Sequence, residues 1–276
     1  MIRKNRRQDS EKFPSGQGWR VATGWLRNRV RILPIAICAV LIFAMISGCV
    51  SVHFGYPVGA GVVTGMGSSE VFPFDFGEIT EIRVSLLCDI ELYTEPSNTV
   101  TFEVQPNLME YISVEEHGGV LTVRSSRSIS QTGFKTPVLT VGTATLSKVS
   151  FAGAGTFTAH DTIATDSFMF ELAGAGKAVA DLDVDRLSID VSGAGDIRLS
   201  GTADEASFNL AGAGRVEALS LQTHDAEVIL AGAGTVRLSC SESLRINAGG
   251  VGTVEYRGSP AINISRGGLV SIQQID

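Results

Sequence analysis

Five aspartates in the second half of the sequence come nearest to a catalytic or metal-binding set. They are Asp181, Asp183, Asp185, Asp190 and Asp196. The first three alternate along the chain, so in a strand their carboxylates would share one face. Paired carboxylates can bind Ca²⁺ or serve as acid and base in glycan cleavage. Their spacing fits no calcium-loop pattern, so we interpret them as a solvated polar face and predict neither a metal site nor catalytic residues.

A recurring Gly-Ala-Gly tripeptide is the second candidate, because glycine-rich loops can cradle phosphate groups. The copies begin at Gly153, Gly174, Gly193, Gly212 and Gly232, and Gly-Val-Gly follows from Gly250. A dinucleotide loop needs a further glycine or alanine three residues on, followed by a helix, and it occurs once per domain. Six copies at intervals of 18 to 21 residues instead indicate a solenoid repeat. We therefore predict no cofactor.

The histidines and cysteines show no zinc-ligand spacing, and no serine lies in a nucleophile elbow. His160 and His224 each precede an aspartate, but they follow their triplets at different distances and so would not stack. We expect both at the surface. Cys88 and Cys240 have the inward parity of their strands and should pack as small hydrophobic residues. The sequence leaves open whether these two cysteines form a disulfide.

The residues around each triplet explain how the repeats are positioned. Apolar residues stand two and four places before the first glycine and after the last, as with Ile189 and Val191 before Gly193. Polar residues lie between them, which is the period-2 alternation of a strand with one buried face. Each repeat is therefore one strand-rich coil, and coils would stack about 4.8 Å apart.

Stacking in register would also align the charged residues that follow the triplets. One column would contain Lys177, Asp196 and Arg215, and a second Arg198, Glu217, Arg237 and Glu255. The sign of the charge alternates from coil to coil in both columns. Unlike charges on adjacent strands attract, so the alternation is consistent with the proposed register.

The amino terminus indicates export and membrane attachment. Residues 1–31 contain nine basic and two acidic residues, and Ile32–Ile46 is uncharged and mainly apolar. Such a segment is typical of an export signal. Its end, Ile46-Ser47-Gly48-Cys49, resembles a bacterial lipobox, which implies lipid attachment to Cys49. The alternative is an uncleaved single-pass inner-membrane anchor, since residues 32–52 are long enough to span a bilayer. Either arrangement places the rest of the chain outside the cytoplasm.

Three regions follow from these patterns: the basic and apolar segment 1–48, a lipid-anchor cysteine with a glycine-rich tether over 49–69, and a β-rich domain over 70–276. The chain as a whole carries a charge of −7. Because the first 31 residues contribute +7 and residues 32–48 are uncharged, the part from Cys49 onward carries −14. Nucleic-acid binding needs basic stripes, so we exclude it.

The order of segments resembles one known family. Cys49 is followed by apolar strands near 82–104, by Asn107-Leu108, by Gly118-Gly119-Val120-Leu121-Thr122-Val123 and by repeats such as Val191-Ser192-Gly193-Ala194-Gly195-Asp196-Ile197. This order resembles the putative auto-transporter adhesin, head GIN domain family over roughly residues 70–272. The resemblance implies an all-β fold, a right-handed parallel β-helix or β-solenoid. We expect coils of about 20 residues and an atypical N-terminal capping half that lacks the triplet.

Two functions remain open. The first is a non-enzymatic, membrane-anchored surface protein of the bacterial cell envelope that acts as an adhesin or envelope scaffold and binds a glycan or protein partner. The second is a glycan-binding or polysaccharide-active β-helix enzyme. A groove lined by carboxylates or by stacking aromatics would favour the second. Few aromatics lie outside the apolar columns, with Tyr93 and Tyr111 the main candidates.

Overall fold

The computed structural model describes residues 61–96, 98–130 and 135–276. Strands make up 72% of the structure and helix 2%, so the chain is all-β as predicted. The described residues contain one short helix, α1, at Pro106–Met109. The strands are β1 (Val63–Thr64), β2 (Glu70–Asp75), β3 (Glu81–Ser85), β4 (Asp89–Tyr93), β5 (Thr99–Val104), β6 (Ile112–His117), β7 (Val120–Ser125), β8 (Ile129–Ser130), β9 (Val138–Gly142), β10 (Lys148–Phe151), β11 (Ala154–Ala159), β12 (Ile163–Leu172), β13 (Ala175–Val191), β14 (Ala194–Leu210), β15 (Ala213–Leu230), β16 (Ala233–Ala248), β17 (Val251–Arg257), β18 (Ala261–Arg266) and β19 (Leu269–Gln274).

Several predictions about the amino terminus fall outside the described residues. These are the basic and apolar segment 1–48, the lipid site Cys49 and the first part of the predicted tether. The last part of that tether contains β1, which pairs with β8. The side chain of Asn107 holds this segment by accepting from the N–H of Met66 and donating to the carbonyl of Thr64, both at 2.9 Å. Among the described residues, no helix has the length and apolar character needed to cross a membrane.

The long strands stack as parallel coils of about 19 residues, and the solenoid has about seven turns. Each triplet lies directly above the previous one: Ala175 pairs with Ala194, Ala194 with Ala213 and Ala213 with Ala233. The register predicted from the triplets is therefore confirmed. Within each coil the alternation breaks at two consecutive exposed residues, such as Asp185 and Arg186. The backbone turns there, so each long strand wraps around a corner.

The interior is built from the apolar columns that the sequence predicts. Of the residues two and four places from the triplets, all are buried except Ala159, which is half-buried. The column Ile189, Phe208, Val228 shows the packing, because each residue lies directly above the previous one and none is more than 1% exposed. Burial of these columns supplies the main free energy of folding, at about 25 cal/mol per Å² of apolar surface.

The N-terminal half closes one end of the stack with antiparallel strands. β2 pairs with β5, β5 with β9, and β6 with β7. This region confirms the expected atypical cap, with one refinement. β3 and β4 pair in parallel with β10 and β11, so together they form the first regular coil. Leu86-Leu87-Cys88 occupies the triplet position in that coil.

The first glycine of each triplet is required by close backbone approach. A Cβ atom at Gly193 would lie 1.8 Å from the carbonyl oxygen of Gly174. That oxygen accepts a hydrogen bond from the N–H of Ala194 at 2.9 Å, so it cannot move away without loss of the bond. The same approach recurs from Gly153 to Gly268. A side chain at this position would separate two coils.

Candidate functional site

The predicted aspartates tie coils together. Asp181 accepts hydrogen bonds from the hydroxyls of Thr162 at 2.6 Å and Ser200 at 2.7 Å, which belong to the coils on either side. These two bonds lower the pKa of Asp181. Asp183 accepts from Thr202 at 2.8 Å. Three of the four carboxylate oxygens of Asp181 and Asp183 thus accept bonds between coils. The third member of the alternating set, Asp185, is exposed at the corner and accepts no hydrogen bond from a described residue.

The other two candidates are separated from this group. Asp190 lies beyond the corner at Asp185–Arg186 and accepts from Asn209 in the next coil at 3.0 Å. Asp196 follows a triplet and pairs with Arg198 at 3.0 Å. In the part of the chain that the structure describes, no group of three or more His, Cys, Asp or Glu side chains could hold a metal ion.

The triplets are corners in which the backbone is already hydrogen-bonded. The N–H of Gly212 donates to the carbonyl of Val191 at 3.1 Å, and the N–H of Ala213 donates to Gly193 at 2.9 Å. A phosphate-binding loop needs N–H groups that point at the ligand. Because these donate to the preceding coil, the structural interpretation of the triplet is supported.

The charged columns follow the predicted register, but the ion pairs are selective. Arg237 contacts a glutamate in each neighbouring coil: Glu255 at 2.6 Å and Glu217 at 3.3 Å. Arg198 instead pairs with Asp196 two residues away in its own strand. In the second column, ion pairs therefore connect Glu217, Arg237 and Glu255 but do not extend to Arg198. These contacts raise the pKa of Arg237, chiefly through its hydrogen bond to Glu255.

Reversal of the charge at Arg237 tests this column. We expect Arg237→Glu to lower the melting temperature at low salt, because it places three carboxylates in adjacent coils. The loss should shrink at high salt, where exposed charges are screened. Thermal melting of the purified variant measures both effects. The double variant with Glu255→Arg restores one unlike pair and should recover part of the loss; no recovery would contradict the stacked-pair interpretation.

The histidines contact neighbouring side chains at the surface. The ring of His160 stacks on Tyr93 with the centroids 4.5 Å apart, and Nδ1 of His224 lies 3.1 Å from a carboxylate oxygen of Asp204. Tyr111 is covered in a similar way by the guanidinium of Arg127, 4.8 Å from the ring centroid. Both tyrosines that could have stacked on a sugar ring therefore have one face covered.

Cys88 and Cys240 are both buried and carry free thiols. The sequence had left their pairing open, and the structure places them apart as separate core residues. Burial raises the pKa of both thiols. For Cys88 the negative charge of Asp89 adds to this effect.

These pKa shifts predict slow thiol chemistry and a pH-dependent stability. A thiol reagent at neutral pH should modify neither Cys88 nor Cys240 in the native protein, since the thiolate is the reactive form, and both should react in denaturant. Above pH 9.0, the ordinary thiol pKa, the unfolded chain ionises while the folded chain does not. Stability should therefore fall as the pH rises above this value.

The control for this pH dependence is Cys88→Ala. This variant should have a weaker loss of stability above pH 9.0, measured by chemical denaturation across the alkaline range. An unchanged pH profile would show that Cys88 does not cause the effect.

A groove of about 650 Å³ runs along the corner of five coils. Its two outward columns are Ser167, Arg186, Glu205, Asp225 and Ser243, and Met169, Ser188, Ser207, Glu227 and Arg245. At about 4.8 Å per coil, it is roughly 20 Å long. The side chains of Arg186, Glu205 and Asp225 make no hydrogen bond or ion pair within the described ranges, so they remain available to a ligand.

The groove lies outside the set of aspartates that the sequence indicated. Its carboxylates come from Glu205, Asp225 and Glu227, which are separated in sequence from the alternating set at Asp181–Asp185. The signal that could have indicated it is the pair of consecutive polar residues that interrupts the alternation once per coil. Aligned by the triplets, these pairs form one continuous polar corner.

Comparison with known proteins agrees with this architecture. A family model described as putative auto-transporter adhesin, head GIN domain, matches residues 78–260. A search of curated proteins found no match. Among solved structures, a putative adhesin from Bacteroides fragilis is 25% identical with a TM-score of 0.73, and the match covers 77% of this chain and 100% of that chain.

Two further crystal structures show the same fold at lower identity. A putative lipid binding protein from Parabacteroides distasonis is 22% identical with a TM-score of 0.63, covering 78% of this chain and 100% of that chain. A putative adhesin from Parabacteroides merdae is 18% identical with a TM-score of 0.60, covering 79% and 100%. Since the family match spans more than half of the sequence, the chain belongs to the putative auto-transporter adhesin, head GIN domain family.

Proposed function

We propose that this protein is a non-enzymatic, exported surface protein that acts as an adhesin or envelope scaffold and binds its partner along the corner groove. The groove carries the proposal, because it presents charged side chains without internal partners on a rigid stack of strands. Sites on regular strands are held more precisely than sites on loops. Family membership and the adhesin from Bacteroides fragilis support the same class of function.

The mixture of charges in the groove favours a neutral, hydroxyl-rich ligand. Two arginines and three carboxylates line the groove together with four serines. Carboxylates accept hydrogen bonds from hydroxyl groups, arginine donates them, and serine does both. A strongly charged ligand would meet groups of its own sign, whereas a neutral glycan would meet only partners. A glycan is therefore our first choice of ligand, and a protein surface with many hydroxyl groups is the second.

A glycan array and a pull-down with the soluble part that starts at Ser69 test the proposal. We expect binding that Glu205→Gln and Arg186→Gln each weaken at least about tenfold, which corresponds to about 1.4 kcal/mol. Thr202→Ala, outside the groove, is the matched control and should bind as the parent does. Binding that all three variants retain would place the ligand elsewhere, and no binding on either assay would contradict the adhesin proposal.

The groove also favours the alternative, a polysaccharide-active enzyme, because Glu205 and Asp225 lie in adjacent coils and Glu227 follows two residues later. A glycosidase needs two carboxylates on opposite sides of the scissile bond. Incubation of any glycan that binds, followed by analysis for shorter products, separates the two functions. Shortened glycan that disappears with Asp225→Asn would establish the enzyme; intact glycan supports the adhesin.

The proposed location depends on Cys49, which we propose as the lipid attachment site. Cys49→Ala should abolish incorporation of labelled palmitate into the mature protein, because the thiol is the acceptor. Metabolic labelling followed by immunoprecipitation measures this result. Cys38→Ala is the control, since Cys38 lies inside the apolar segment. Unchanged labelling of Cys49→Ala, or a mature chain that still starts at Met1, would favour the uncleaved anchor.

A further inference from the structure

Among the described residues, the coil formed by β18 and β19 pairs with a neighbouring coil on one side only. β18 pairs with β16, and β19 pairs with β17. Ile262 and Ile264 occupy inward positions, directly above the fully buried Leu244 and Ile246. Nevertheless they are 40% and 42% exposed, because no described residue lies above them. In the described part of the chain, the apolar columns of the core therefore end on an exposed face, which we call the terminal face and define as β18 and β19.

The terminal face has few of the features that usually protect an open strand edge. Such edges are normally protected by charged residues or by proline within the strand. Of the twelve residues in β18 and β19, only Arg266 is charged, and neither strand contains proline. All six residues of β18 are exposed. An unpaired edge with this composition can accept another strand.

The opposite end of the stack has this protection. Its outer strand β2 contains Glu70, Pro73 and Asp75, and its outer strand β6 contains Glu115 and Glu116. Two such ends would repel each other, and the proline interrupts any ladder of backbone hydrogen bonds. The two ends of one molecule thus differ in chemistry, and only the terminal face is suited to pairing.

We propose that the terminal face binds the terminal face of a second copy of this chain and so forms an end-to-end dimer. A twofold axis perpendicular to the stack brings β18 and β19 against the same strands of the partner, which is a self-complementary contact. The contact covers Ile262 and Ile264 and brings no strong like charges together apart from Arg266. Because the capped end is protected, the assembly closes at two copies.

The strand spacing and the apolar columns of the terminal face favour a second copy of the chain as the partner over another protein or a glycan. A foreign strand would have to match both the spacing and the apolar columns of the coil, and a second copy has both by construction. A glycan would need polar partners, whereas two of the three exposed residues at the inward positions of β18 are isoleucines, and the third is Arg266, above Ala248. The proposal is independent of the ligand in the corner groove.

The test is the mass of the full chain, purified in detergent and measured by light scattering after size-exclusion chromatography over a range of concentrations. The parent protein should have the mass of two chains, after correction for detergent. Ile262→Lys should raise the dimer dissociation constant at least about tenfold, because it places a charge in an apolar contact. Val179→Lys is the matched control: Val179 is also 40% exposed but lies on the flank, in β13.

A second variant separates loss of the dimer contact from a folding defect. Ile264→Lys should also produce monomers, and far-UV circular dichroism with thermal melting must show native coils in each variant. A monomeric parent at every concentration would overturn the proposal. So would a dimer that persists in both folded lysine variants, because the contact would then lie elsewhere. Assemblies larger than two chains would contradict the protected end.

Discussion

Replacement of Gly212 by alanine is expected to destabilise the protein by at least about 3 kcal/mol, or to prevent folding, although it adds a single methyl group. That Cβ atom would lie 2.0 Å from the carbonyl oxygen of Gly193. The oxygen already accepts a bond from Ala213, so relief of the clash requires the separation of two coils. Chemical denaturation followed by far-UV circular dichroism measures the loss.

Gly249→Ala is the matched control for this effect. An added Cβ at Gly249 would meet nothing within 4 Å, whereas one at the next residue, Gly250, would lie 2.0 Å from the carbonyl oxygen of Gly232. We therefore expect Gly249→Ala to be nearly neutral and Gly250→Ala to be destabilising. Equal effects in the two neighbours would mean that glycine acts through chain flexibility, not close approach.

The second large effect is expected at Phe208. This residue is fully buried between Ile189 and Val228 of the neighbouring coils. Phe208→Ala should cost about 4 kcal/mol, because it removes apolar contact and leaves a cavity that stacked strands cannot collapse to fill. Equilibrium unfolding in urea gives the free energy of unfolding directly.

Two control variants show whether the loss of stability comes from the buried volume of Phe208. Phe208→Leu keeps most of the buried volume and should lose less than half as much stability. Ser207→Ala changes the outward neighbour on the same strand and should be nearly neutral. A loss for Phe208→Ala no greater than that of Ser207→Ala would show that the column is not packed as described.

The sequence was sufficient to predict the coils because two independent periods coincide. The triplets give the length of a coil, and the alternation around them gives the inward face of each strand. Together they predicted the buried column through Phe208 and the pairing of Glu217 with Arg237. Both depend only on position within a repeat, which is why sequence reasoning succeeded.

Features at the ends of the stack were harder to predict. Gly268 continues the series of first glycines, but Val270 stands where the second glycine is expected, so the last coil departs from the pattern. Leu86-Leu87-Cys88 lacks glycine altogether, although Leu87 pairs with Ala154. The preceding coil is not continuous there, since β7 ends at Ser125 and β9 begins at Val138. Side chains are therefore tolerated at this corner.

The candidate site depended on three-dimensional alignment. No motif in the sequence distinguishes Arg186, Glu205 and Asp225 from other charged residues. They become a candidate site because the register of the coils brings them to one corner. Conversely, the alternating aspartates looked like a set, yet Asp181 and Asp183 accept hydrogen bonds from neighbouring coils and Asp185 is exposed at the corner. Sequence alone does not indicate which polar residues are engaged with each other and which remain available.

The stacked glycine corners have a consequence for how such molecules change in length. Because each corner bonds to the next in the same way, a duplicated segment from Gly193 to Ala211 would recreate the same bonds to the coils before and after it. The added unit would lengthen the rod by about 4.8 Å and extend the apolar columns without a new core design. Insertion or loss of whole coils by recombination is thus compatible with folding, whereas an insertion within a glycine triplet would break the bonds between adjacent corners.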